Sequence, residues 1–70
     1  MNTIMDQIRN CPHNMVDILE LRAPVADYLD AIIGLYTKEI IEAEHADKIM
    51  LEVETAFKIR VQQIRNTLLN

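Results

Sequence analysis

The sequence predicts an all-α fold, and three observations carry that expectation. From Leu35 to Asn70 there is no Gly or Pro, the two residues that most often break a helix. Hydrophobic residues make up 50% of the chain and aromatic ones only 4%, so it packs by Ile, Leu, Val, Ala and Met. Apolar residues also recur at a seven-residue interval through the second half, which is a helical period and not a strand period.

The elements follow in order along one small domain of 70 residues. Residues 1–23 predict short N-terminal helices. Thr3 with Asp6 three residues on is a cap signal for a first helix ending near Cys11-Pro12. Asn14 with Asp17 repeats the signal for a second helix carrying Met15, Val16, Ile18, Leu19 and Leu21. Pro24 interrupts or restarts this segment. Ala23 is a poor cap, so a kinked continuation is the alternative.

Residues 24–70 predict one long heptad-patterned helix or a helical hairpin, assembling into a bundle or coiled coil. Leu29, Tyr36, Ala43, Met50, Phe57 and Ile64 form an unbroken apolar column seven residues apart. Its companion is Val25, Ile32, Glu39, Ala46, Val53, Arg60 and Thr67, interrupted by three polar residues. The two columns are offset as the seam positions of a heptad are. A straight helix drifts about 20° per heptad against a strict repeat. A repeat held through the polar stretch Glu42–Lys48 therefore predicts one supercoiled helix from Val25 to Leu68. The alternative is a hairpin turning near His45-Ala46-Asp47. Its first helix would place Val25, Leu29, Ile32, Ile33, Tyr36 and Ile40 against Ile49, Met50, Val53, Phe57, Val61, Ile64 and Leu68 of the second.

The choice has a geometric consequence. A helix of about 44 residues is roughly 66 Å long, whereas a compact chain of this size has a radius of gyration near 11 Å. A continuous helix therefore needs partner chains. A hairpin still leaves Tyr28, Leu35, Ile41, Leu51, Ile59 and Leu69 off its main stripe, available to form a second face. Either way the expected interface, with itself as a homo-oligomer or with a larger protein, comprises Val25, Leu29, Ile32, Tyr36, Ala43, Met50, Val53, Phe57 and Ile64.

Composition narrows function. A chain this short buries only about 60% of the surface its unfolded form exposes, so it needs a staple, a metal, a partner or good helix packing. Cys11 is the only cysteine, which excludes an intrachain disulfide and suits a reducing, cytoplasmic setting. No stretch approaches the ~20 apolar residues that span a bilayer, and the N-terminus lacks the basic-then-apolar order of a secretory signal. Neither a membrane nor a cofactor is expected.

Net charge is −4, with −5 in residues 1–45 and +1 in residues 46–70, and no acid follows Glu54. This distribution predicts acids early and bases late along a C-terminal helix, matching its dipole. Lys58, Arg60 and Arg65 make a modest positive end, but the acidic whole disfavours nucleic acid. The chain also lacks aromatic platforms on which bases stack.

Three motifs bear on chemistry. Glu42 and His45 form an E-x-x-H pair with Glu39 one turn earlier, the type of ligand set that helix bundles use for metals. They fall away from the Leu29–Ile64 column, which predicts a solvated face. Cys11-Pro12-His13 puts a thiol beside an imidazole in sequence, but a nucleophile needs its base held in contact. A turn or a buried thiol is expected there. Arg60 interrupts the apolar stripe, where it would snorkel, pair with Glu39 of another helix or meet an acidic partner. Without a phosphate loop, a catalytic serine motif or paired cysteines, the chain reads as a non-enzymatic interaction protein: an adaptor, regulator or inhibitor. The alternatives are a metal-binding helical bundle through Glu39, Glu42 and His45, and a small nucleic-acid-binding regulator.

Overall fold

The computed structural model describes residues 3–69, with side chains described through Thr67. Four helices, α1 (Ile4–Arg9), α2 (Met15–Glu20), α3 (Arg22–Thr37) and α4 (Ala43–Leu69), pack into a bundle. No strand occurs among the described residues. No described helix is long and apolar enough to cross a membrane.

The short helices begin where their caps lie. The Thr3 hydroxyl accepts from the Asp6 amide at 3.2 Å, and the Asp6 carboxylate accepts from the Thr3 amide at 3.4 Å, completing a reciprocal capping box. The Asn14 side chain accepts from the Asp17 amide at 3.0 Å and donates to its carboxylate at 2.7 Å. Leu21 then joins α2 to α3 without leaving right-handed helical space, at φ −73° and ψ −7°. Pro24 falls in the first turn of α3, where a missing N–H leaves no intrahelical bond unmade.

The long segment is a hairpin, not one helix. α3 ends at Thr37 and α4 starts at Ala43, so the turn lies at residues 38–42, ahead of the stretch His45–Asp47 where the alternative placed it. The stop has no glycine. Glu39 takes the left-handed conformation at φ 61°. The Ile40 amide donates back to the Leu35 carbonyl at 2.9 Å and the Glu39 amide to Tyr36 at 3.0 Å. This is a Schellman closure, which satisfies carbonyls the helix end would orphan. The Glu42 carbonyl then accepts the first bond of α4 from Ala46 at 3.0 Å. The seven-residue repeat thus runs through a turn and does not fix a single helix.

α4 is the spine. Its 27 residues give about 40 Å of helix, close to the 46 Å long axis of the molecule. α1, α2 and α3 all pack against it. Ile4, Ile8, Val25 and Val53 form one buried cluster, with Leu21, Tyr28, Leu29 and Ala56 against it. Cys11, Ile18 and Ile64 form a second, with Met15 and Val61 against it. Leu21 and Phe57 touch both clusters and join them. Ile32 and Ala46 are also buried, on the parts of α3 and α4 nearer the turn.

Ile33, Tyr36 and Ile40 correct the hairpin stripe read from sequence. All three are exposed, because α3 stops before Ile40 and the short helices α1 and α2 pack at the other end. The placement of Leu68 on the stripe and Leu69 off it concerns side chains outside the described residues. The radius of gyration is 13.5 Å, against about 11 Å for a compact chain of this length. The accessible surface is 5236 Å², against about 4,500 Å² for a compact monomer of this mass. The bundle is elongated and surface-rich.

Candidate functional site

The proposed metal ligands do not converge. Glu39 belongs to the turn, so it does not share a helix face with Glu42 and His45, and all three are exposed. A shallow hollow holds Glu42, Glu44, His45 and Lys48, which places a cation among the acids. Among the described residues no group of three or more His, Cys, Asp or Glu could hold a metal ion. The bases of α4 also stop short of its last turn, while Glu44 occupies the first, so the dipole is matched at its N-terminal end only.

Cys11 and His13 face different partners. The Cys11 thiol is buried and donates to the Pro12 carbonyl at 3.4 Å. The Thr67 hydroxyl donates to the Gln63 carbonyl at 3.0 Å, so it accepts from His13 Nε2 at 3.0 Å. His13 thereby ties the α1–α2 loop to the far end of α4. Burial pushes the Cys11 pKa up, Asp17 adds to the rise, Arg60 opposes it and Glu20 reinforces it. A raised pKa suppresses the thiolate, which is the nucleophilic form. Cys11 is therefore built as a core residue. Above it lies an open cleft lined by Asp6, Asp17, Glu20 and Leu21 among others.

Within the chain Arg60 finds an acceptor that the sequence readings did not include. Its Nη2 donates to the Cys11 carbonyl, and its Nη1 lies 3.4 Å from the Gln63 side-chain oxygen. It does not pair with Glu39 of the same chain. It closes a backbone acceptor in the loop where α1 ends, a charge-assisted bond worth more than a neutral one. Its Nε is buried without a partner, so the arrangement carries a desolvation cost. With Arg60 turned inward, the positive end of α4 is reduced to Lys58 and Arg65 on the surface.

The seam residues divide. Val25, Ile32, Val53 and Ile64 are buried within one chain, Leu29, Met50 and Phe57 are half-buried, and Tyr36 and Ala43 are exposed. What remains uncovered is apolar surface elsewhere. Leu51 and Ile59 stand on the outer face of α4, and with Met5 and Ala56 they line an open groove of about 510 Å³ between α1 and α4. Arg9, Glu52 and Thr55 form its polar lining. Both Leu51 and Ile59 were legible as off-stripe residues. Val16 and Leu19 of α2 are also exposed, and six residues of helix gave too short a pattern to tell their outer side from their inner one. The protein-family models, the curated proteins and the solved structures with which the chain was compared include no match to it.

Proposed function

We propose that this protein is a non-enzymatic protein–protein interaction module, a small helical adaptor, regulator or inhibitor that works by docking its outer apolar face on a second protein surface. One observation carries the reading: Leu51 and Ile59, large and aliphatic, stand uncovered beside Met5 along one groove of the spine helix. Single exposed apolar residues are ordinary, whereas a row of them along an open groove marks a binding surface. Helix docking of this kind anchors on apolar residues carried on one helix face, and Leu51 and Ile59 lie about two turns apart on the same face of α4. A reducing, cytoplasmic setting remains part of the proposal because the lone thiol is compatible with it.

The test is capture of partners by the intact protein from its native source, compared with a Leu51→Asp variant. The circular dichroism spectrum should be unchanged by the substitution, and specific capture should be lost. Capture that persists at full strength in a folded Leu51→Asp protein would remove this face from the proposal.

A further inference from the structure

Resting on the reading of this face as an interaction surface, we infer that its occupant is a second copy of the same chain, docked antiparallel along α4 about a two-fold axis at Thr55. The stripe Lys48, Leu51, Glu52, Thr55, Lys58, Ile59 and Gln62 is exposed throughout. It follows the three-and-four spacing of one helix face, opposite the buried Ala46, Val53 and Ile64. The stripe is symmetric about Thr55. Leu51 and Ile59 lie four residues either side of it, and Glu52 and Lys58 lie three residues either side.

In an isologous pair each residue meets its mirror position on the other copy. Antiparallel α4 helices crossing at Thr55 therefore set Leu51 against Ile59 and Glu52 against Lys58, each contact occurring twice. Thr55, a small residue, falls at the crossing point, where helices approach most closely. Parallel pairing would instead oppose Glu52 to Glu52 and Lys58 to Lys58. Moving the axis one turn to Leu51 leaves Ile59 against Ala43, and moving it to Ile59 leaves Leu51 against Thr67. Only the Thr55 axis pairs both large apolar residues and both charges. Met5, on the α1 side of the same groove, widens the apolar strip.

Sedimentation of the intact protein at micromolar concentration, with Glu52→Lys, Lys58→Glu and Thr55→Cys variants, tests the inference. The unmodified chain should be a dimer. Each single charge reversal should weaken it by about tenfold, because two opposite-charge contacts become two like-charge ones. An equimolar mixture of the two reversals should regain the original affinity. Thr55→Cys should form an interchain disulfide under mild oxidation, while the unmodified chain, whose single thiol is buried, should not.

A monomer would overturn the inference. So would a dimer insensitive to both reversals and unlinked through Thr55→Cys. A mixture binding tighter than the unmodified chain would indicate parallel pairing and overturn the register. A monomeric protein that still loses a captured partner on Leu51→Asp would overturn the dimer and leave the broader interaction reading intact.

Discussion

The inner and outer faces of α4 carry similar aliphatic residues and meet opposite fates. On the inner face Val53 is 2% exposed and Ile64 0%, while on the outer face Leu51 is 64% exposed and Ile59 52%. Nothing in side-chain chemistry separates them. What differs is cover: α1, α2 and α3 together pack on one side of a 27-residue helix, and among the described residues no further helix lies on the other. A domain of about this size buries only about 60% of the surface its unfolded chain exposes, so part of an amphipathic helix with apolar residues on both sides stays open.

The largest expected effect breaks the inner face. Phe57 touches both buried clusters, so Phe57→Ala should remove about 2–4 kcal/mol, somewhat below the usual cost for a fully buried ring because Phe57 is half-buried. A domain of this size has a total stability of only about 4–10 kcal/mol, so chemical denaturation should show most of it gone. Next comes Arg60→Met. The aliphatic stem is kept but the Cys11 carbonyl loses its donor. A loss of about 1–2 kcal/mol is expected, reduced from the full penalty because the unpartnered Nε is removed as well. No loss in a urea titration would mean that water replaces the guanidinium.

Two substitutions sharpen the hairpin that gives α4 its two faces. Gly34 sits inside α3 and an added Cβ would meet nothing within 4 Å. Gly34→Ala should therefore raise stability by about 0.5–1 kcal/mol. Glu39→Gly should raise it by a similar ~0.5–1 kcal/mol, because it relieves a left-handed residue with a side chain. A loss on Glu39→Gly would argue against the turn at residues 38–42. Cys11 adds a pH dependence on the inner side. Its folded pKa is raised, so its contribution is full below the ordinary thiol pKa of about 8.5 and falls as pH rises through the folded value. Cys11→Ala should flatten that alkaline decline in a melting-temperature series. The smallest effect belongs to the outer face: Leu51→Ala should change the stability of the dilute protein by less than about 0.5 kcal/mol.

How much of this was readable from sequence follows from which signals are local. The Thr3–Asp6 and Asn14–Asp17 caps were legible because a cap bond spans three residues. Most of the inner face of α4 was legible from periodicity: Ala46, Met50, Val53, Phe57 and Ile64 lie on predicted columns and are buried or half-buried, while Ala43 and Thr67 lie on the same columns and are exposed. A hairpin was one of two readings, but its turn at residues 38–42 was not legible, because the αL position is filled by Glu39 and not by glycine and the heptad phase survives across it. Arg60 was read as a seam charge that would snorkel or meet an acid, and within the chain its acceptor is a backbone carbonyl 49 residues away, a contact that no local pattern encodes. The same holds for His13 and Thr67, 54 residues apart. The Leu51–Ile59 face was visible as off-stripe residues, but its exposure depends on how many helices the chain can bring to α4.

The division of α4 into a face packed within the chain and a face open to a partner is tested most directly by thermal melts of the unmodified protein and of Leu51→Glu over a wide range of protein concentration. An associating protein melts higher as its concentration rises. The unmodified chain should show that rise, and Leu51→Glu should melt at one temperature throughout, equal to the dilute limit of the unmodified chain. A Leu51→Glu protein that is unfolded even when dilute would make the outer face part of the core and contradict the account. So would one whose melting temperature rises with concentration as steeply as that of the unmodified chain.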